Sequence, residues 1–166
     1  MFCILTIKRT HIIVFIIALI ALCTSVFAQF IFDKKPCLLC LISRSLYFLI
    51  AVIAAISFVF KKKIIRKIIF ALVSVSLIFS MYHLGVENHW WRAPKTCAHK
   101  IPTAEELKNI EKQFITQNTS PSCDQVNWEI FGISSTLWNF GMFAGLFWMI
   151  SVAYAMSYSK RKQEDE

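Results

Sequence analysis

The chain is poor in charge, and poorest in acid. Of its 166 residues only 17% are Asp, Glu, Lys or Arg, and ten acidic side chains stand against eighteen basic ones, a formal net charge of +8. Glycine and proline are scarce as well, at four each, so little interrupts the apolar runs. No internal repeat or low-complexity segment is present, which removes repeat architectures. What the chain has in excess is apolar side chain. Hydrophobic residues make up 57% of it, against about 45–50% in globular proteins, and the mean hydropathy is +0.57. A soluble domain of this length has too much surface for its volume to bury so much. A bilayer removes the difficulty by becoming the solvent, so the chain reads as an integral membrane protein and a single membrane domain over 1–166. The basic residues stand at the ends of the apolar runs, where they report topology rather than a nucleic-acid partner.

Four apolar runs are long enough, or nearly so, for the ~20 residues that carry a helix across ~30 Å of hydrocarbon. They lie at about 12–32, 41–60, 64–84 and 133–158. Lipid cannot satisfy backbone polar groups, so helices are expected, and the fold class is all-α, a four-helix membrane bundle. Lys8 and Arg9 precede the first run, Lys61, Lys62, Lys63, Arg66 and Lys67 fill the link between the second and third, and Lys160, Arg161 and Lys162 follow the fourth. By the positive-inside rule both termini and the middle link face the cytoplasm. That leaves a short outer loop at about 33–40 and a long one at about 85–132. The long loop mixes signs and carries Trp90 and Trp91, aromatics of the interfacial kind. A cleavable signal peptide ending near Ala28 is the rival reading of the N-terminus, but the apolar run continues to Phe32.

One short amphipathic helix is expected in the long loop. Thr103-Ala104-Glu105-Glu106 reads as a capping box, and Leu107, Ile110 and Phe114 then share a face. Such a helix either lies on the membrane surface or packs onto the end of the bundle.

The densest chemistry is Lys35-Pro36-Cys37-Leu38-Leu39-Cys40, followed by Arg44. Two residues between cysteines let both sulfurs meet across one helical turn. Pro36 suits the first turn, whose amides are unpaired anyway, and the positive end of the helix dipole favours a thiolate there. Arg44, one turn deeper than Cys40, is either functional or a snorkelling side chain; it would favour the thiolate or bind a ligand carbonyl entering from the lipid. A CxxC by itself is equally a zinc or structural pair. Cys97 and Cys123 bracket the loop helix, with 25 residues between them; alone they read as a structural disulfide. A zinc site drawn from Cys37, Cys40, Cys97, His99 and Cys123 is a further rival, against which an oxidising compartment argues. His11, His83 and His89 read as interfacial or packing residues, Cys3 and Cys23 as out of reach of this chemistry, and Gly141 with Gly145 as a small-residue packing motif of weak specificity.

Together these residues resemble the DsbB family of disulfide bond formation proteins. The resemblance covers nearly the whole chain: four spans, Lys35 to Cys40 with Arg44, Gly85-Val86-Glu87 ahead of Trp90 and Trp91, then Pro94 and Cys97, and Cys123 with Trp128, Phe131 and Gly132 following. It implies a protein-dithiol:quinone oxidoreductase of the bacterial inner (cytoplasmic) membrane, with its active cysteines periplasmic. It implies that a periplasmic DsbA-like thioredoxin-fold carrier attacks Cys97, that Cys123 is the resolving partner of Cys97 and pairs transiently with Cys37, and that a membrane quinone, ubiquinone or menaquinone, reoxidises Cys37 and Cys40. Cys40 would lie nearest the ring, with Arg44 as the quinone contact; Glu87 and His89 are weaker candidates. A carrier of the DsbA kind is strongly oxidising, at about −120 mV, so its reoxidation needs a still stronger acceptor, which a membrane quinone pool supplies. The rival functions are a non-catalytic membrane scaffold with structural disulfides and the reverse reaction, a membrane reductase or isomerase electron conduit, for which Cys23 is a poor inner-side donor site.

Overall fold

The structure, a computed structural model, describes residues 2–31, 36–60, 63–94, 97, 123–126 and 129–164. Four long helices grow from the four apolar runs: α1 (Phe2–Ile31), α2 (Leu38–Val59), α3 (Lys63–Glu87) and, after a small hairpin, α4 (Ser135–Glu164). Each contains a segment long and apolar enough to cross a membrane, namely Thr10–Ile31, Leu38–Val59, Ile64–Glu87 and Ser135–Ser159. The protein is an all-α, multi-pass membrane bundle. The expected loop helix around Thr103 to Phe114 lies outside the described residues.

The helices pack in a ring, α1 on α2, α2 on α3, α3 on α4 and α4 back on α1. The bundle therefore gathers the start of α2 and α4 with the end of α1 and α3. Its centre is filled by side chains such as Val14, Ile50, Ile69, Val73, Phe143 and Leu146, all essentially buried. Ala18, Ala51 and Ala54 are buried among them and let the helix backbones approach closely. Tyr47 stacks face to face on Phe143 with ring centroids 4.2 Å apart. The outward faces are equally apolar: Phe30, Ile78 and Trp148 each leave most of their surface uncovered, as lipid-facing residues do. Several serines on these helices, Ser45, Ser74, Ser76 and Ser151, return their hydroxyls to a carbonyl four residues back. A small polar side chain is thereby satisfied inside its own helix.

Three helix ends are built by specific residues. Cys37 caps α2: its backbone is extended, and its sulfur accepts from the Cys40 amide at 3.3 Å. Pro36 consequently stands one residue before the cap, not in the first turn. At the end of α3, Trp90 N–H donates to Gly85 C=O (2.8 Å) and His89 N–H to Val86 C=O (3.1 Å), while His89 takes a left-handed φ of 59°. This is a Schellman termination with histidine in the place glycine usually fills. Trp91 then folds back, so that a Cβ on Gly85 would meet its indole at 2.2 Å. Before α4, Ile133 and Ser134 form a strand rather than the first residues of the fourth span. β1 (Glu129–Ile130) and β2 (Ile133–Ser134) pair antiparallel around Phe131 and Gly132, both with positive φ, and the Ser134 hydroxyl then caps α4 by accepting from the Leu137 amide at 3.1 Å.

Gly141 and Gly145 do not act as a packing motif within the chain, since nothing lies within 4 Å of a Cβ built on either. The small residues that bring helices together here are the buried alanines.

Candidate functional site

The capping geometry of α2 sets the site. An extended Cys37 followed at once by helix folds Cys40 back beside it, and the two sulfurs lie 2.6 Å apart. At that separation a disulfide between them needs little more than side-chain rotation to form. Both are free thiols in the structure.

The two sulfurs look in different directions. Cys37 is buried in a cluster with Leu39, Val86, Cys97 and Cys123, against which Cys40 packs from the side. Cys97 and Cys123 form a disulfide with Cα atoms 5.3 Å apart. The Cys97 N–H donates to Pro94 C=O (2.8 Å) and the Cys123 N–H to Cys97 C=O (3.2 Å), which holds that disulfide at the bundle end. Whether this pair bonds was open from spacing alone. It bonds, and it sits in one buried cluster with Cys37.

Cys40 instead lines a cleft of about 190 Å³ between α1, α2 and α4, floored by α3. Arg44, Tyr47, His83, Gln29 and Asn139 share the wall. The Arg44 guanidinium is held: Nη1 donates to Gln29 Oε1 at 2.5 Å and Nη2 to Ser25 C=O at 2.8 Å, both on α1. The arginine is thus built into the protein rather than snorkelling to head groups. Asn139 of α4 donates to Ser43 of α2 (3.2 Å) and Ser80 of α3 (3.4 Å), closing a polar layer across three helices. Interhelical bonds of this kind contribute about 0.6–2 kcal/mol each in a bilayer.

Two polar groups in the cleft wall are buried without a partner among the described residues. They are the Tyr47 hydroxyl and His83 Nδ1, on side chains only 3% exposed. Buried polar groups left unsatisfied cost free energy, so each is a site where a ligand or water completes the bonding. The other face of His83 meets the dithiol, with Nε2 3.7 Å from Cys37 Sγ. Cys37, at the membrane edge, is held below the ordinary thiol range. The hydrogen bond with the Cys40 thiol is the main cause, burial opposes it, and the His83 contact and the Cys40 amide assist.

By sequence His83 reads as an interfacial or packing histidine; the structure sets it against Cys37. It lies 46 residues along the chain from that cysteine, and no local pattern marked it. Gln29 and Tyr47 were not singled out either, although Tyr47 stands three residues after Arg44 and so shares its face. Cys37, Cys40, Cys97, Cys123 and Arg44 all gather at one end of the bundle. Glu87 ends α3, His89 is spent on the helix termination, and His99 lies outside the described residues. The proposed zinc set loses Cys97 and Cys123 to their disulfide. Cys23 is exposed on α1.

Four membrane-length helices with a free cysteine pair and a loop disulfide at one end define a multi-pass membrane protein built around juxtaposed cysteine pairs. The chain belongs to the DsbB family: the family pattern described as "Disulfide bond formation protein DsbB" matches residues 8–153. A curated relative is the "Uncharacterized protein RP370" of Rickettsia prowazekii (strain Madrid E), 29% identical over 136 residues, which cover 80% of this chain and 78% of the relative. The family makes this a protein of disulfide bond formation, and its members are generally thiol:quinone oxidoreductases.

Proposed function

We propose that the protein oxidises a periplasmic dithiol carrier of the DsbA-like, thioredoxin-fold kind and passes the electrons to a membrane quinone. One observation carries this reading: the two sulfurs of the α2 pair have different neighbours, Cys37 the Cys97–Cys123 disulfide and Cys40 the cleft. A relay between two disulfide exchanges and a lipid-soluble acceptor needs that division.

A carrier thiolate attacks Cys97 and displaces the Cys123 sulfur. The carrier's second thiol then releases oxidised carrier, leaving Cys97 and Cys123 as the dithiol. Cys123 thiolate next attacks Cys37 of the oxidised α2 pair, displacing Cys40, and Cys97 resolves the mixed disulfide. The net result is one disulfide regained in the loop and a dithiol at Cys37 and Cys40. The burial of Cys37, Cys97 and Cys123 in one cluster, with Cys40 packed against it, supports these exchanges without a long chain movement.

The cleft wall suits a quinone head group. Its lining is largely apolar, it opens beside Cys40, and its two unpartnered polar groups and one guanidinium match carbonyl oxygens as partners. When bound, a quinone supplies the two-electron acceptor, taking two electrons and two protons from the dithiol. Cys40 would face the acceptor, Arg44 would orient and polarise a carbonyl oxygen, and the Tyr47 hydroxyl would donate a hydrogen bond to the head group. His83 Nε2 stands where it accepts the proton leaving Cys37 as the disulfide closes. The basic residues at the opposite bundle end support an orientation with both termini cytoplasmic and the cysteines outside.

The test is quinone-dependent oxidation of a reduced DsbA-like carrier by the purified protein in detergent. Turnover is expected with wild type and abolished in Cys40→Ser. If Cys40→Ser reoxidised the carrier at the wild-type rate, the relay would be wrong. Four outer cysteines locked in disulfides that never cycle with either quinone class would favour a structural scaffold instead.

A further inference from the structure

Cys37, Cys40 and His83 are more than a redox pair with a neighbouring base. Their sulfurs and a ring nitrogen all lie within 4.8 Å of one another. We propose that the reduced α2 dithiol and His83 form a redox-gated site for a thiophilic d10 cation of the zinc kind, whose occupancy arrests the enzyme. The inference rests on the α2 pair passing through a dithiol state, as the relay reading requires.

The geometry is close to what such an ion needs. Tetrahedral zinc with sulfur at about 2.3 Å and imidazole nitrogen at about 2.0–2.1 Å sets ligand-to-ligand edges of roughly 3.6–3.8 Å. The Cys37 Sγ to His83 Nε2 separation, 3.7 Å, already has that value. The two sulfurs, 2.6 Å apart, must open by about 1 Å to reach it, which a side-chain rotation of Cys40 into the cleft accomplishes. Two residues between cysteines is also a spacing zinc sites use. The three ligands come from two helices whose backbones are fixed by the bundle, so the site is organised before the ion arrives. Cys40 and His83 both border the cleft, which leaves the fourth position facing open space for water. The unpartnered Nδ1 of His83 is a second mark of an unfinished bonding pattern; a metallated imidazole ordinarily carries its second N–H to an acceptor, and water in the cleft provides one.

The chemistry balances as an exchange of protons for a cation. The two thiols release their protons to solvent as they become thiolate ligands, and His83 binds as neutral imidazole through Nε2. In the oxidised protein the same sulfurs are tied to each other and offer no thiolate, so the site exists only in the dithiol state. An enzyme deprived of its acceptor, and therefore held reduced, is the form that captures the ion. Bound metal occupies both sulfurs, and neither exchange nor electron delivery proceeds until it leaves.

The experiment uses the full chain carrying Cys97→Ser and Cys123→Ser, so that no loop thiols compete. The protein is reduced, freed of reductant under anaerobic conditions, and dialysed against zinc with no quinone and no carrier present. One zinc per reduced chain is expected, with none retained after oxidation of the α2 pair. Cobalt in place of zinc is expected to give thiolate-to-metal absorption in the reduced form alone. His83→Ala is expected to weaken zinc binding by at least about tenfold, since even second-shell partners of a metal are worth that much, and His83→Cys to restore it, with helicity of each variant checked by circular dichroism. Equal zinc retention by reduced and oxidised protein overturns the proposal. So does undiminished binding in a folded His83→Ala variant. Because neither quinone nor carrier enters the measurement, its failure leaves the relay reading standing, and failure of the relay leaves a positive metal result intact.

Discussion

An arginine inside a membrane helix is tolerated where the protein receives its hydrogen bonds, and Arg44 meets that condition through Gln29 and Ser25 of α1. The same bonds aim its charge along the cleft wall. Arg44→Ala is expected to raise the KM for quinone by about tenfold, the equivalent of roughly one charge-assisted hydrogen bond, and to loosen α1 from α2. Steady-state kinetics over a quinone series reads the first effect and thermal unfolding in detergent the second. Arg44→Lys retains the charge but cannot span both acceptors, so it should fall between wild type and alanine. At the neighbouring cysteine the sign of the pH dependence follows from cause. The hydrogen bond from Cys40 holds the Cys37 thiol below its usual range, so its thiolate persists as pH falls through that range and is lost only below the shifted value. Cys40→Ala removes the principal cause and moves the titration back upward. Thiolate ultraviolet absorbance, taken as the difference between reduced protein with and without Cys37→Ser, measures it; an unmoved titration would contradict the assignment of cause.

Elements carry the site because particular residues fix where each of them ends. α3 stops where His89 turns left-handed, and Trp91 folds down onto Gly85 and stacks on Tyr82 with centroids 5.8 Å apart. Gly85→Ala would drive a methyl into the indole. It is expected to destabilise the protein by about 1–3 kcal/mol, the range for overpacking, and to displace the segment that leads to Cys97. Chemical denaturation in mixed micelles checks the first and the rate of carrier oxidation the second. His89→Gly, by contrast, should leave stability within about 1 kcal/mol, since glycine is the usual residue at that φ. The helices themselves were legible in the sequence, because runs of apolar residues bounded by Lys61 to Lys63 and Lys160 to Lys162 admit little else in lipid. Their ends were less so. Cys37 as cap, Ser134 as cap and the two-residue strands around Phe131 and Gly132 rest on local backbone geometry that periodicity does not encode. The cysteine spacing announced a dithiol at the start of α2. His83 and Gln29 were silent because what makes them part of the site is contact across helices, 46 and 15 residues from their partners along the chain.

At the scale of the whole molecule the bundle separates two environments. One end carries the disulfide, the dithiol and the cleft; the other carries Arg66 and a smaller polar group in which His11 meets Ser57 at 2.7 Å. Polar bonds bridge helices near both ends, while the middle is held by apolar packing around Phe143 and Tyr47. Asn139→Leu, which removes the polar tie from α4 to α2 and α3, is expected to cost about 1 kcal/mol, as interhelical bonds in bilayers do, and to widen the cleft. A lowered melting point with a raised quinone KM is the expected pair of effects. The proposed relay puts electron transfer on the cleft side of the dithiol, and one measurement tests that most directly. Full chain carrying Cys97→Ser and Cys123→Ser, reduced and then mixed with one equivalent of quinone, should yield one equivalent of quinol and a Cys37–Cys40 disulfide identified by mass mapping. A dithiol that stays reduced in the presence of quinone would contradict the account.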